Sequence, residues 1–233
     1  MSSVPTYEQI CADAGCVGLA CCGGFQLMAD DSLPEIRPGV RPATLILLGF
    51  RGPSCWLAFE ASAEFRDGQA HPLDRWSRRL IDELARRHAA LSVYPFSGPP
   101  WWPFQSWAAR AEGLHASPLG ILMHPKFGPW HSYRGALLFE TRIDVPAAPP
   151  VAHPCDSCHT KPCLHGCPVG AVSEAGFDAL RCREFVRSRG RDCREGGCLA
   201  RRSCPVGAEY QQSAAQASFH IAAFAGLRAI SAR

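Results

Sequence analysis

Hydrophobic positions in the first 140 residues follow two periodicities, which predicts a mixture of helices and strands. The apolar run at 43–50 (ATLILLGF) has the length of a buried strand and is soon followed by glycine and proline. Residues 73–88 carry apolar side chains at helical spacing with charged residues between them. Together these signals predict an α/β (α+β) N-terminal domain in which helices cover a buried sheet.

Shorter elements of both kinds complete the predicted domain, and the strand order stays open. Helices are predicted at 6–14, with Thr6 as the N-cap, and at 104–111. Further strands are predicted at 91–94, 119–123 and 135–140. Near the end of the chain, the pattern predicts a helical tail at roughly 208–230.

A proline-rich segment divides the chain into two parts. Residues 145–154 (VPAAPPVAHP) carry four prolines and no Asp, Glu, Lys or Arg, which is typical of a stiff linker. We place the boundary near Pro149, so that the predicted domains are 1–148 and 149–233. The first is poor in cysteine over most of its length, and the second is rich in it.

Composition narrows the class of protein. With 233 residues, of which 47% are hydrophobic, the chain has enough apolar surface for a packed core. A net charge of +3 is too small to indicate nucleic-acid binding by itself. The N-terminus has no signal-peptide pattern, and no run of about 18 apolar residues is present to span a bilayer. We therefore expect a cytoplasmic protein without a membrane partner, where clustered cysteines bind metal more often than they form disulfides.

Eight of the 13 cysteines fall into two sets of four, and each set ends in Cys-Pro. In ferredoxins with two clusters, the fourth ligand of each [4Fe-4S] cluster comes from the distant Cys-Pro. The pattern therefore predicts two [4Fe-4S] clusters with crossed ligands. One cluster takes Cys155, Cys158, Cys163 and Cys204, and the other takes Cys167, Cys182, Cys193 and Cys198.

Structural zinc and free thiols or disulfides remain alternatives for these cysteines. The spacing is wider than in bacterial ferredoxins, with four residues between Cys158 and Cys163. Zinc ribbons favour paired Cys-x-x-Cys knuckles, and only Cys155 and Cys158 form one. The remaining cysteines are interpreted as small buried apolar residues or incidental thiols: Cys11, Cys16, Cys21, Cys22 and Cys55.

Eight arginines lie between residues 181 and 202, around the second set of cysteines. One interpretation is that they stabilise the negative charge of a thiolate-bound cluster. The other is a docking surface for an acidic redox partner of the flavodoxin or ferredoxin-reductase type, or for RNA. No aromatic residues alternate with these arginines, which weakens the RNA interpretation.

Three residues of the N-terminal part are candidate cofactor ligands. His124 follows a predicted strand, and Trp130 and Arg134 lie just before the next one. The arginine suits a phosphate or carboxylate. Structural roles in packing or in an ion pair are the alternatives for all three. The aromatic stretch at 99–104 (PPWWPF) is interpreted as a cleft wall or as a packing loop.

The cysteine region resembles the C-terminal ferredoxin domain of epoxyqueuosine reductases. The resemblance rests on Cys155 to Cys167-Pro168, on the lone Cys182 in Asp-Ala-Leu-Arg-Cys, and on Cys198 and Cys204-Pro205. The stretch at 111–140 is similar to the same enzymes just before their linker. The string from His124 to Trp130 (HPKFGPW) with Arg134-Gly135 also resembles cobalamin-processing reductases.

This resemblance, which spans roughly 40–210, implies a flavin-reductase-like domain able to cradle a corrinoid, joined to a two-cluster ferredoxin-like domain. The leading hypothesis is an iron–sulfur electron-transfer protein. The alternative is an oxidoreductase in which the clusters reduce cobalamin in the N-terminal cleft. The reductases carry a catalytic aspartate in Val-Asp-Ser after a strand, where this chain has Val93-Tyr94-Pro95. Epoxyqueuosine reduction is therefore not predicted.

Overall fold

Two groups of residues form separate compact units in the computed structural model, which describes residues 4–31 and 33–227. The first unit runs to Gly113 and includes Ser132–Pro150, and the second combines Leu114–His131 with the residues from Val151 on. The predicted domains 1–148 and 149–233 place 114–131 in the first part, whereas these residues pack with the second. The composition of 114–131 does not indicate that it belongs to the second unit, because the residues it packs against are distant in sequence.

Eight strands and ten α-helices are formed by the described residues. The strands are β1 Ala20–Gln26, β2 Thr44–Arg51, β3 Leu91–Val93, β4 His115–Ala116, β5 Leu122–Met123, β6 His131–Phe139, β7 Val172–Ser173 and β8 Gly176–Phe177. The helices are α1 Tyr7–Cys16, α2 Trp56–Glu60, α3 Ala63–Arg66, α4 Pro72–Arg87, α5 Phe104–Glu112, α6 Pro162–His165, α7 Ala179–Ser188, α8 Arg191–Gly196, α9 Leu199–Arg202 and α10 Ala214–Ala225. A 3₁₀ turn at Ala208–Tyr210 precedes α10.

A four-stranded sheet in the order β1-β2-β6-β3 forms the centre of the first unit. The β1/β2 and β3/β6 pairs are antiparallel. Strand β2 is buried from Thr44 to Phe50, which explains its unbroken apolar sequence. Helix α4 begins with Pro72 and turns Leu73, Trp76 and Leu80 into the core, as its periodicity predicts. The mixture of helices and antiparallel strands confirms the predicted α+β class.

Strand β1 is the main element that the hydrophobic pattern misses. Its sequence, ACCGGFQ, has few β-branched or aromatic residues and two glycines. A Cβ on Gly24 would lie 2.4 Å from the carbonyl oxygen of Leu45, so only glycine fits against β2 there. A Cβ on Gly23 would lie 2.6 Å from the carbonyl oxygen of Ala111 in α5. The two glycines make β1 hard to predict from the sequence, and they also allow it to pack closely against β2 and α5.

The predicted strand at 119–123 is only partly correct. Two of its residues form β5, which pairs with β4 in a separate two-stranded sheet of the second unit. The predicted strand at 135–140 instead begins earlier, as β6, and is buried only from Gly135 on. The amphipathic first half of β6 has no continuous apolar run, which is why the pattern misses it.

Short helices and two small apolar clusters make up the second unit. One cluster contains Cys182, Val186, Cys193 and Ile221, and the other contains Leu119, Val172 and Ala200. The predicted helical tail is present as α10, and its predicted end at 228–230 lies outside the described residues. No helix within 4–31 and 33–227 is both long enough and apolar enough to cross a bilayer.

Candidate metal centres and their surroundings

The first group of cysteines surrounds a pocket in the second unit. Cys155, Cys158, Cys163 and Cys204 line its wall, and Lys161 and Pro205 lie beside them. The pocket has an empty volume of about 390 Å³, part of which is open to solvent. Burial raises the pKa of Cys155 to about 11, with further contributions from Cys204, Cys163 and Cys158. These four thiols therefore lie within electrostatic range of one another, as the crossed pattern requires.

The second group assembles in the same crossed manner. Burial raises the pKa of Cys182 to about 11, and Cys198, Cys167 and Cys193 raise it further. Cys182 lies on α7 and Cys193 on α8, whereas Cys198 is the residue immediately before α9. Cys167 therefore lies with this group, although it follows Cys163 by only four residues.

Backbone amides point at several of the sulfurs. The N–H of Ala171 donates to Cys167 Sγ at 3.2 Å. The pKa of Cys193 is raised by burial, and the backbone N–H of Leu199 opposes this rise. At Cys204 the N–H of Val206 acts in the same sense against burial. Amide donors of this kind stabilise thiolates, which is the form in which cysteine binds a metal.

Each donor set consists of soft thiolates, which suit iron–sulfur clusters and structural zinc. Neighbouring thiols contribute to the raised pKa of Cys155 and of Cys182, so ionisation of a whole group requires metal cations that compensate its charge. Among the residues described, no three His, Cys, Asp or Glu side chains converge closely enough to bind a single metal ion.

Several of the arginines near the second group form hydrogen bonds or ion pairs within the protein. Arg187 donates to the carbonyl oxygen of Ala225 at 2.6 Å, and Arg194 donates to that of Val186. Arg191 pairs with Glu195 at 2.8 Å on the surface of α8. Arg201 donates to the carbonyl oxygen of Pro129. Burial lowers the pKa of Arg201 to about 10, opposed by nearby Cys198, so its guanidinium is charged at neutral pH.

His124 and Trp130 lie in the segment 114–131, which belongs to the second unit. The Nδ1 atom of His124 accepts hydrogen bonds from the backbone N–H groups of Lys126 and Phe127, at 3.0 and 3.1 Å. Trp130 is 3% exposed, and the guanidinium of Arg201 lies 4.6 Å from its ring centroid. Their predicted role as cofactor ligands stays a prediction.

Arg134 lies in the first unit and has protein partners. Its guanidinium forms an ion pair with Asp74 at the start of α4. Its Nε donates to Ser77 Oγ at 3.0 Å, and the group lies 5.0 Å from the ring centroid of Phe96. These contacts favour the structural alternative for Arg134, while a ligand role stays a prediction.

The position after β3 holds a buried tyrosine. Tyr94 is 3% exposed, and its hydroxyl donates to a carboxylate oxygen of Asp82. Ser92 donates to the same carboxylate oxygen at 2.6 Å. Burial and the hydrogen bond to Asp82 raise the pKa of Tyr94 well above its usual range. The tyrosine is therefore a weak acid, unlike a carboxyl group at this place.

Two polar groups of the first unit were missed by the sequence analysis. Glu112 forms an ion pair with Arg51 and accepts a hydrogen bond from Tyr133 at 2.6 Å. Near α1, a hydrogen bond between the Cys11 and Cys21 side chains lowers the pKa of Cys11. The first group joins residues far apart in sequence, the second joins α1 to β1, and neither matches a motif. Of the five cysteines interpreted as buried apolar residues or incidental thiols, Cys22 and Cys55 are buried, Cys11 and Cys21 are half-buried, and Cys16 is exposed.

The fold of this chain occurs in two classes of solved protein: epoxyqueuosine reductases and proteins that handle vitamin B12. No protein-family model and no curated protein sequence match the chain. The likeness to solved structures confirms the predicted relation to both classes at the level of the fold, since the sequence identities are below 20%.

Three solved structures define this likeness. An epoxyqueuosine reductase with an epoxyqueuosine-modified tRNA-Tyr stem loop has a TM-score of 0.50 and 16% identity, over 90% of this chain and 69% of that one. A selenomethionine-labelled epoxyqueuosine reductase has a TM-score of 0.52 and 17% identity, over 88% of this chain and 66% of that one. The C. elegans B12-trafficking protein CblC, a human MMACHC homologue, has a TM-score of 0.55 and 11% identity, over 97% and 98%.

Proposed function

We propose that this chain is an iron–sulfur electron-transfer protein that binds two [4Fe-4S] clusters. The observation that carries the proposal is the crossed grouping of eight cysteines in the second unit, where Cys204 lies with Cys155 and Cys167 lies with Cys182. Clusters of this kind, when bound, accept and donate single electrons. The two small units then correspond to a flavin-reductase-like α+β domain and a ferredoxin-like domain.

In this proposal the chain supplies cysteine ligands for the clusters, hydrogen-bond donors to their sulfurs, and partial shielding from water. The cysteines are buried or half-buried, and backbone N–H groups such as that of Ala171 donate to their sulfurs. Such hydrogen bonds and the exclusion of water are the main means by which a protein tunes a cluster. The charged guanidinium of Arg201 beside Cys198 compensates negative charge on the second group.

Metal analysis of anaerobically purified protein tests this function. We expect about eight irons and about eight acid-labile sulfides per chain, which is the content of two four-iron clusters. We also expect a visible absorption band that bleaches on reduction with dithionite. One or two zinc ions per chain in place of iron would overturn the proposal.

A cobalamin-dependent reductase is the second candidate, and the fold shared with the B12-trafficking protein favours it. In that case the candidate corrinoid contacts that we propose are those of the sequence analysis, His124 and Trp130 in the second unit or Arg134 in the first. Adding hydroxocobalamin to the anaerobic protein should shift the corrinoid spectrum, and cobalt should stay with the protein on gel filtration. An unchanged spectrum together with complete loss of cobalt would eliminate this candidate.

Reduction of epoxyqueuosine is not part of the proposal. Where those enzymes carry an aspartate, this chain has Tyr94, which is buried and donates to Asp82. A tyrosine with a raised pKa is a poor proton donor at neutral pH.

The expected partner is an acidic redox protein of the flavodoxin or ferredoxin-reductase type. Exposed arginines that include Arg181, Arg189 and Arg202 surround the second cysteine group and suit such a partner. Reversing Arg189 to glutamate should slow reduction by a flavodoxin at low salt, and the effect should fade as salt rises. RNA remains the alternative partner, and RNA binding unaffected by this charge reversal would remove it.

A further inference from the structure

Two cysteines of the first unit lie side by side on neighbouring elements. Cys11 is on α1 and Cys21 is on β1, and both carry free, half-buried thiols. A hydrogen bond joins their side chains, so the two sulfurs meet although they are ten positions apart in the sequence. Both belong to the first unit, whereas the eight proposed cluster ligands lie in the second.

The turn after α1 directs β1 back along the helix. The N–H of Gly18 donates to the carbonyl oxygen of Gly15 at 3.1 Å, and the N–H of Leu19 donates to that of Ala14 at 2.9 Å. Gly18 has a φ of +81°, so these two bonds form a Schellman motif, which ends the helix and turns the chain. The turn is therefore fixed by its own hydrogen bonds.

The lengths of the two segments on either side of this turn match. Six residues of helix from Cys11 to the C-cap Val17 rise about 9 Å. Three residues of extended chain from Gly18 to Cys21 cover about 10 Å. The turn therefore returns Cys21 to the level of Cys11, and contact between two thiols is the starting geometry that a disulfide requires.

The surroundings of the pair favour ionisation of Cys11. Hydrogen bonds from Cys21 and from the hydroxyl of Tyr7, one turn earlier on α1, lower the pKa of Cys11, against burial and the carboxylate of Glu8. The pKa of Cys21 is raised, because its proton is held in the hydrogen bond to Cys11 and because it is buried. Cys11 is therefore the thiol that ionises first, and the thiolate is the nucleophile.

We propose that Cys11 and Cys21 form a redox-active dithiol that exchanges with small disulfides such as oxidised glutathione. The Cys11 thiolate attacks one sulfur of the small disulfide, which forms a mixed disulfide and releases one thiolate. The Cys21 sulfur then attacks that of Cys11, forms the Cys11–Cys21 bond and releases the second thiolate. Two protein thiols are oxidised, one small disulfide is reduced, and the two protons of the cysteines end on the two released thiols.

Disulfide mapping of the whole chain tests the proposal. The anaerobic protein is incubated with excess oxidised glutathione, free thiols are blocked with N-ethylmaleimide, and the chain is cut with endoproteinase Asp-N. Cleavage before Asp13 yields a fragment whose only cysteine is Cys11, and the next fragment contains Cys16, Cys21 and Cys22. We expect mass spectrometry to find the two fragments linked, and excess reduced glutathione to separate them.

Serine variants assign the bond and the order of the two steps. Cys21→Ser should hold glutathione on Cys11 as a stable mixed disulfide, because the second thiol is missing while serine still supplies a donor. Cys11→Ser should give no linked fragments. Cys16→Ser, at an exposed position on the same helix, is the control and should form the linked fragments like wild type.

Three results would overturn the proposal. They are blocking of both thiols by N-ethylmaleimide after incubation with excess oxidised glutathione, linked fragments in Cys21→Ser, and their absence in Cys16→Ser. The iron content of the same samples tests the function proposed above separately, since neither cysteine is one of the eight proposed ligands. The linkage can form whether the second unit holds iron or zinc, so the two proposals fail independently.

Discussion

At the scale of single residues, Cys204 and Cys167 determine how the two cysteine groups are connected. Each is followed by proline, and each lies with the group that is more distant in sequence. Pro168 and Pro205 fix the backbone φ angle directly after Cys167 and Cys204. The chain therefore turns away from each sulfur at that point. Each group therefore depends on the other part of the second unit.

Serine substitutions test this crossed connection. We expect Cys204→Ser and Cys155→Ser to lose the same cluster, and Cys167→Ser to lose the other. Each variant should keep about four irons of about eight. Electron paramagnetic resonance of the reduced proteins should give one residual signal for the first two variants and a different one for the third.

Cys16→Ser is the control, because Cys16 is exposed and lies in α1, outside both groups. It should retain the full iron content. A residual signal in Cys204→Ser that matches that of Cys167→Ser would contradict the crossed assignment.

The ion pair of Arg134 provides a second prediction at this scale. Its side chain is 14% exposed and it bonds both Asp74 and Ser77, whereas Arg37 in the pair with Glu140 is 61% exposed. Arg134→Met leaves a half-buried carboxylate without its partner and should cost about 2–3 kcal/mol. Arg37→Met should cost less than about 1 kcal/mol, since exposed pairs are well solvated.

Anaerobic unfolding in urea, followed by circular dichroism, measures both variants. Equal losses in the two variants would show that the Arg134 contacts do not stabilise the first unit more than an exposed pair does.

At the scale of secondary-structure elements, helix α1 shows how local chemistry sets a boundary. The Thr6 side chain accepts from the backbone N–H of Gln9, and the Gln9 side chain accepts from that of Thr6, which is a complete capping box. Thr6→Ala removes half of this box and should lower the free energy of unfolding by about 1 kcal/mol. Urea unfolding measures the loss.

The matched control is Ser106→Ala, at an exposed position inside α5. Alanine has the better helix propensity there, so stability should stay the same or rise slightly. A loss in Ser106→Ala as large as that in Thr6→Ala would mean that the cap is not responsible.

A close backbone approach joins two segments of the second unit. Gly128 has a φ of +54°, and a Cβ on it would lie 2.0 Å from the carbonyl oxygen of Val206, two residues after Cys204. Gly128→Ala must therefore displace the segment that carries Cys204. We expect the iron content of this variant to fall from about eight toward about four.

Gly39→Ala provides the control for backbone strain. Gly39 also has a positive φ of +76°, but its Cβ would meet open space. Alanine carries the same kind of conformational cost at both positions, so only the clash distinguishes them. Unchanged iron content in Gly128→Ala would show that the Val206 segment adapts without moving Cys204.

At the scale of the whole molecule, the two units differ in what holds them together. The first has a four-stranded sheet with a continuous apolar core, which includes β2 and α4. The second has short helices, two-residue strands and small clusters in which cysteines take part. With the cysteines binding metal as proposed, the folding of the second unit should depend on that metal.

Removing the metal with chelator and oxidant tests this dependence. Hydrogen exchange measured by mass spectrometry should show loss of protection in 151–227, with protection retained in β2. Residues 114–131 should lose protection together with 151–227, because they pack in the same unit. If 114–131 instead stays protected with β2, the division of the chain into these units is wrong.

The sequence alone determined the features that depend on local chemistry. Periodicity and capping are properties of consecutive residues, so it predicted α1, α4, α5, β2, α10 and the α+β class. The Cys-Pro endings similarly gave the two proposed sets of four cysteines, because they are a spacing pattern in the chain; that these sets bind clusters stays a prediction. The same pattern also indicated the resemblance to epoxyqueuosine reductases, and the string HPKFGPW at 124–130 with Arg134-Gly135 indicated the resemblance to cobalamin-processing reductases.

Only the tertiary structure decided what depends on contacts between distant residues. Strand β1 exists because its glycines let β2 and α5 approach, and glycines by themselves predict no strand. Packing alone moves 114–131 into the second unit and brings Trp130 next to Arg201. Burial and pairing across long sequence separations leave no periodic signal, so the pocket lined by Cys155 and Cys204 becomes visible only in the folded chain.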